Sequence, residues 1–270
     1  MPMMKNPYLE LTEEFNRDRL RVLLSSGQAV VVHRLAIMSK DGDWILREDT
    51  EAVEHILKVL SLKGARYRFG APLDLRWLAG GWSSHFELRP EALRLRTDFV
   101  TRPPRITPPQ LARMWKEAET TGNEVVGLEP LAALKLTNRE KDYAVIGELA
   151  RLMTNARSQL LYSRSSRDLI QIAGEHPEAL AEALSDRPLL TRIAEGREVL
   201  EEALDRERRA LIHANEERLG RYRSAAEGWA GIWPEAQRAI EGLSLLDAHR
   251  LLVSRAEGVL PFRLAGETEP

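Results

Sequence analysis

Asp41 and Asp43 are separated by a single glycine, so in an extended chain both carboxylates leave the same face. Two bare carboxylates held that close repel, and the usual compensation is a divalent hard cation, Mg²⁺ or Mn²⁺, bound through oxygen. Asp-Gly-Asp is also ordinary turn chemistry, which the pair alone does not exclude. A third carboxylate comes from the run Leu93 to Val100. There Leu93, Leu95, Thr97 and Phe99 share one face of a strand, while Arg94, Arg96 and Asp98 share the other. If this strand neighbours the one carrying Asp43, three aspartates converge as ligands for two cations that activate a hydroxyl and neutralise a triphosphate. Arg94 and Arg96 then flank the metals with guanidinium forks suited to phosphate oxygens. The competing reading is a charged sheet face that is merely solvated.

Other chemistries are excluded by composition. The 270 residues contain no Cys, which removes disulfides, thiolate zinc sites, Fe–S ligation and cysteine nucleophiles. None of the six His forms a closely spaced metal pair, and no P-loop, G-x-G-x-x-G or G-x-S-x-G occurs. His33 and His85 read as hydrogen-bonded strand residues rather than acid–base groups. With 39 Lys+Arg against 41 Asp+Glu, the net charge of -2 does not make a surface built throughout for nucleic acid or anionic membrane. Met1 to Leu11 has no apolar leader core and no apolar run could span a bilayer, so the expectation is a cytoplasmic chain without a membrane partner.

The elements that must position the aspartates follow from periodicity. Thr12 to Ser26 reads as a helix ending at Gly27, Ala29 to Val32 as a strand, and Asp43 to Leu46 as a second strand. A clean helix follows, with Val53, Ile56, Leu57 and Leu60 on one stripe. Arg66 to Phe69, Ser83 to Leu88 and Leu93 to Val100 read as strands, the last two joined through Arg89-Pro90-Glu91. Helices are expected at Leu131 to Leu136 and Arg139 to Met153. Beyond residue 155 the pattern is helical, with breaks at Gly174 to Pro177, Arg187-Pro188 and Trp233-Pro234. The longest helix, expected from Thr191 to Arg223, reads as a bundle helix with a solvated face, or as a coiled-coil partner site. The fold class is α+β over residues 1–155, followed by an all-α C-terminal helical domain over 156–270.

Three stretches together resemble the DNA polymerase beta-like nucleotidyltransferase superfamily, in particular its small prokaryotic members related to abortive-infection and toxin–antitoxin proteins. They are Lys40-Asp41-Gly42-Asp43-Trp44, Leu95-Arg96-Thr97-Asp98-Phe99-Val100, and Leu131-Ala132-Ala133-Leu134-Lys135 through Arg139-Glu140-Lys141-Asp142. Gly81 to Glu87 also resembles the strand that precedes the third aspartate in some of these proteins. The resemblance implies a mixed or antiparallel sheet backed by helices and a nucleoside triphosphate bound through two Mg²⁺. Asp41 and Asp43 would hold both metals, and Asp98 would complete the one that activates the acceptor hydroxyl. Lys135 would lie near the phosphates or base, against the alternative of a helix lysine snorkelling to solvent. Asp142 and Arg139 would brace the helix pair.

One departure from the superfamily pattern stands out. The pattern opens a helix with Gly-Gly or Gly-Ser at a strand end, about ten residues before the paired aspartates, as a phosphate cradle. Val32 to Ser39 holds no glycine, and Gly27 precedes the valine run. Either Ser39, Arg34 and Lys40 replace the cradle, or the domain has lost or changed its activity. The expected function is therefore Mg²⁺-dependent transfer of a nucleoside monophosphate from an NTP to a hydroxyl on a protein, RNA or small molecule. The alternative is a catalytically weak module acting in a toxin–antitoxin or phage-defence complex.

Overall fold

The computed structural model describes residues 6–90 and 93–264. Glu91, the last residue of the expected hairpin connection, and residues 1–5 of the N-terminal stretch lie outside them. The class is α+β, with a mixed five-stranded sheet backed by helices and a helical region following it.

The chain opens with α1 (Pro7–Phe15), capped by the Asn6 side chain, which accepts from the Tyr8 N–H. β1 (Val22–Ser25), α2 (Ser26–Val32) and β2 (Asp41–Leu46) follow. Two expectations are corrected here. The predicted helix from Thr12 to Ser26 ends at Phe15 and its tail is β1, while the predicted strand from Ala29 to Val32 is α2. All four residues of β1 are buried, so no alternation marks it as a strand. The β-branched run of α2 is helical because one side of it, through Ala29 and Val30, packs into the core.

Next come α3 (Thr50–Leu62), with Asp49 as its cap, β3 (Arg66–Tyr67) and the single turn α4 (Leu75–Leu78). β4 (Ser84–Leu88) and β5 (Leu95–Val100) complete the sheet. Its order is β1-β2-β5-β4-β3, and β2 against β5 is the parallel pair. One side of the central strands is aromatic. Trp44 stacks on Phe99 at 5.4 Å between centroids, and Phe15 of α1 meets Trp44 edge-on at 5.4 Å. That side fixes the opposite face as the one bearing Asp41, Asp43 and Asp98.

After α5 (Pro108–Thr121), whose Thr107 and Gln110 form a capping box, the chain crosses into a second compact unit, residues 127–219. This unit holds α6 (Leu128–Leu134), α7 (Glu140–Leu152), α8 (Ala156–Tyr162), α9 (Ser166–Glu175), α10 (Pro177–Ala183), a 3-10 segment (Pro188–Glu195) and most of α11 (Arg197–Ala225). Gly196, at φ +101°, separates the 3-10 segment from α11, so the expected helix from Thr191 is two elements. The unit has its own core around Leu160, Leu169, Leu190 and Leu200.

From Gly220 onward the chain rejoins the sheet unit, through the end of α11, α12 (Glu227–Ala239) and α13 (Leu245–Ala256). The expected boundary at residue 155 is thereby replaced by an insertion. Trp229 donates from Nε1 to the Gly70 carbonyl at 2.9 Å, and Trp77 to the Leu260 carbonyl at 3.0 Å, which tie the last helices to the sheet unit. The break expected at Trp233-Pro234 does not occur. Pro234 lies inside α12, where Trp229 and Trp233 pack edge-on and bury surface that offsets the proline's cost, about 3 kcal/mol in a helix interior.

Candidate functional site

The site begins with register. In the parallel pair Asp41 faces Arg96, Asp43 faces Asp98 and Trp44 faces Phe99, so the three aspartates share one face as strand parity predicts. Gly42 between the first two is dictated by packing. A Cβ there would fall 2.5 Å from both the Trp44 and Tyr8 rings. Tyr8 donates its hydroxyl to the Lys40 carbonyl at 2.6 Å. Burial raises the Tyr8 pKa, and the charges of Asp41 and Asp43 raise it further against the opposing effect of Arg96.

The strand-to-helix turn expected at residues 32–39 lies instead at Ser25-Ser26-Gly27. Ser25 pairs with Asp43 across the antiparallel β1–β2 ladder, and its Oγ donates to the Asp43 carbonyl at 3.1 Å. Its side chain therefore does not cap α2. Ser26 holds a left-handed φ of +50°, a conformation costly for a residue with a Cβ. Gly27 admits Ser39, whose Oγ would lie 2.2 Å from an added Cβ. Thus Gly27, set aside on sequence as too early, stands at a strand-to-helix turn beside Asp43, with Ser39 seated against it.

The remaining predicted residues divide. Lys40 and Arg96 line an open cleft of about 780 Å³ with Tyr8, Ile37, Met38 and Asp41, a size suited to a small ligand. Arg94 also lines it, but its guanidinium is ion-paired 2.5 Å from Glu87 of β4. Arg34 stands in the turn after α2, at the end away from Gly27, so it takes no part in a cradle. Lys135 belongs to the second unit, buried at the end of α6 with its Nζ 3.5 Å from Asp142. Asp142 also accepts from the Thr137 hydroxyl at 2.6 Å and Arg139 Nε at 2.9 Å, which joins α6 to α7.

Asp41 Oδ1 is buried and accepts no hydrogen bond among the described residues, with Arg96 Nη1 3.8 Å away. An unbonded carboxylate oxygen beside two further aspartates is a hard donor suited to Mg²⁺ or Mn²⁺. No three Asp, Glu or His side chains are gathered into a ready ligand cage among the described residues. Asp98 has a nearer commitment, since its Oδ1 lies 2.7 Å from His85 Nδ1 and 3.6 Å from Arg68 Nη1. His85 Nε2 in turn lies 2.8 Å from Ser83 Oγ. The reading of His85 as ordinary strand structure missed this chain. The available signal was parity, which puts Ser83 and His85 on one face, and the hairpin, which sets His85 opposite Asp98. His33, by contrast, only bonds the Val126 carbonyl through Nε2 at 3.0 Å.

Neither a protein family nor a curated protein matches the chain. Among solved structures, a provisionally named nucleotidyltransferase from H. pylori aligns over 78% of this chain and 96% of its own, at 12% identity and a TM-score of 0.37. Likeness at that level carries neither fold nor chemistry, which rest on the geometry above. No helix of the described residues is long and apolar enough to cross a membrane.

Proposed function

We propose that the protein is a nucleotidyltransferase that moves a nucleoside monophosphate from an NTP to a hydroxyl. The observation that carries this reading is the register of Asp43 with Asp98 on neighbouring parallel strands, beside a strand-to-helix turn that Ser25 ties to Asp43. In this reading the triphosphate lies along the Ser25–Gly27 turn and Ser39, with Lys40 and Arg96 supplying positive charge from the cleft. Asp41, Asp43 and Asp98 would hold Mg²⁺ or Mn²⁺, which supplies charge neutralisation at the phosphates. The chain's own side chains then have three tasks: to bind the anion, to orient it for in-line attack, and to hold the acceptor next to Asp98. The acceptor is a hydroxyl of a protein, RNA or small molecule.

Thermal denaturation tests the reading. Mg²⁺ with NTP at a hundredfold excess over Kd should stabilise the native state by about 2.7 kcal/mol. For a chain of this size that is a rise in Tm on the order of 5 to 10 °C. Mg²⁺ alone, or NTP in chelator, should do much less, and Asp43→Asn should remove the shift. Absence of a shift with all four common NTPs, in Mg²⁺ or Mn²⁺, would refute the enzyme and favour a non-catalytic module working in a defence or toxin–antitoxin complex.

A further inference from the structure

Ser83, His85 and Asp98 form a continuous hydrogen-bonded relay at the edge of the site. The three are joined by contacts of 2.8 and 2.7 Å, and His85 stands opposite Asp98 in the β4–β5 ladder. The proton positions follow from chemistry. A carboxylate only accepts, so His85 Nδ1 carries the proton toward Asp98, and in the neutral imidazole Nε2 is then the acceptor for the Ser83 hydroxyl. A serine so placed is an activated nucleophile whose base is oriented by a carboxylate, the arrangement that recurs on unrelated folds. The relay is also built in. An added Cβ at Gly70 would lie 2.4 Å from His85 Cδ2, so the ring sits against a backbone that only glycine allows. His85 and Asp98 side chains are each 25% exposed, shielded yet open on one side. The neighbouring Ser84 is fully buried on the other face and is not reachable.

We infer that Ser83 is itself an acceptor hydroxyl of this site, so that the protein nucleotidylates its own chain. This rests on the nucleotidyl-transfer reading and deepens it by naming an acceptor. Ser83 Oγ attacks the α-phosphorus of the NTP and forms a phosphodiester. The bond from that phosphorus to the bridging oxygen breaks, and pyrophosphate leaves with its electron pair. The Ser83 proton passes to His85 Nε2, and the resulting imidazolium is held by Asp98. His85 is a catalytic residue in this step, because it touches the reacting oxygen. Asp98, which in the nucleotidyl-transfer reading also helps hold the metal, acts on Ser83 only through its Oδ1 contact with His85 and so positions it. One nucleotide is taken up per chain, and it then covers the face on which Asp98 adjoins Asp43.

The test incubates the full chain with Mg²⁺ and each of the four common NTPs, then reads intact mass, released pyrophosphate and the modified peptide. The expected result is one nucleoside monophosphate adduct per chain on Ser83, lost in Ser83→Ala and retained in Ser83→Thr. His85→Gln should slow adduct formation about a hundredfold or more, as loss of a general base does, while Tm and the NTP-induced rise in Tm stay near those of the unaltered chain. An NTP-induced rise in Tm with no adduct, or with an adduct only at another residue, overturns this inference and leaves nucleotidyl transfer to other acceptors standing. An adduct formed at an unchanged rate in His85→Gln overturns the relay. Failure of every NTP to raise Tm and to modify the chain overturns the underlying reading and this inference with it.

Discussion

Two glycines and two aspartates carry different burdens. Gly42 lies between fully buried Trp44 and the Tyr8 ring, neither of which can yield, so Gly42→Ala should cost about 1 to 3 kcal/mol. Its Tm should fall by roughly 3 to 10 °C in thermal denaturation. An added Cβ at Gly27 would lie 2.2 Å from Ser39 Oγ and 2.9 Å from Ser39 Cβ, so rotation of the hydroxyl relieves most of the clash and a small shift of Ser39 the rest. Gly27→Ala should therefore leave Tm nearly unchanged and weaken NTP binding, by about tenfold in titration calorimetry if one charge-assisted hydrogen bond is lost. Gly27→Ala combined with Ser39→Gly, which removes both clashing atoms, should bind no worse than Ser39→Gly alone. Asp43→Asn should abolish transfer without lowering the Tm of the metal-free protein, because it removes repulsion on the aspartate face. Asp98→Asn should also abolish transfer, with a small loss of stability, since Asp98 accepts from His85 and faces Arg68.

Elements that alternate were legible in the sequence; elements buried on both faces were not. β4 and β5 alternate buried and half-buried residues, and strand parity alone placed Asp98 on the face of Arg96. α3 announced itself through its stripe and its Asp49 cap. β1 has no polar face, so Leu23 and Leu24 fitted a helix stripe equally well, and that one misassignment displaced the expected strand-to-helix turn from Gly27 to residues 32–39. The His85 relay was hidden for another reason: it depends on Gly70 allowing the ring to reach Ser83, a contact with no periodicity. α13 supplies a prediction at this scale. His249 Nδ1 lies 2.8 Å from the Tyr67 hydroxyl, on a partly buried ring. Burial depresses the His249 pKa; the Asp74 charge works against this and Arg250 and Arg76 reinforce it. The folded state thus favours neutral His249, and the unfolded chain takes up its proton first as pH falls. Stability from this contact is full above the ordinary histidine range near 6.5 and is lost as pH drops below it. Thermal denaturation of the unaltered chain should show Tm falling between about pH 7 and 5, and His249→Gln should flatten that part of the decline.

At the scale of the whole molecule, the inserted helical unit has an electrostatic keystone of its own. Buried Arg187 forks onto Glu207 at 2.8 and 2.9 Å and also donates to the Leu160 and Ser163 carbonyls. Arg164 pairs with the same carboxylate, and burial, aided by the Arg187 charge, pulls its pKa down to about 10. Glu207→Ala would leave two guanidinium groups without their counter-ion, at a cost of about 3 to 5 kcal/mol. Hydrogen exchange should report faster opening throughout residues 127–219, with the sheet unit's protection unchanged. The insertion also sets an order of events as the chain is made. The five strands are complete at residue 100, yet the Trp77 indole N–H and the Gly70 carbonyl are paired with residues that follow position 220. Roughly ninety residues of another unit must be synthesised in between, a delay on the order of ten seconds at ribosomal rates. During that interval the sheet has its full hydrogen-bonding ladder and an uncovered apolar flank. The nascent chain therefore presents a chaperone-binding surface that disappears only on completion, and ribosome-bound chains arrested near residue 219 should be digested by protease within the sheet region where released full-length chains resist.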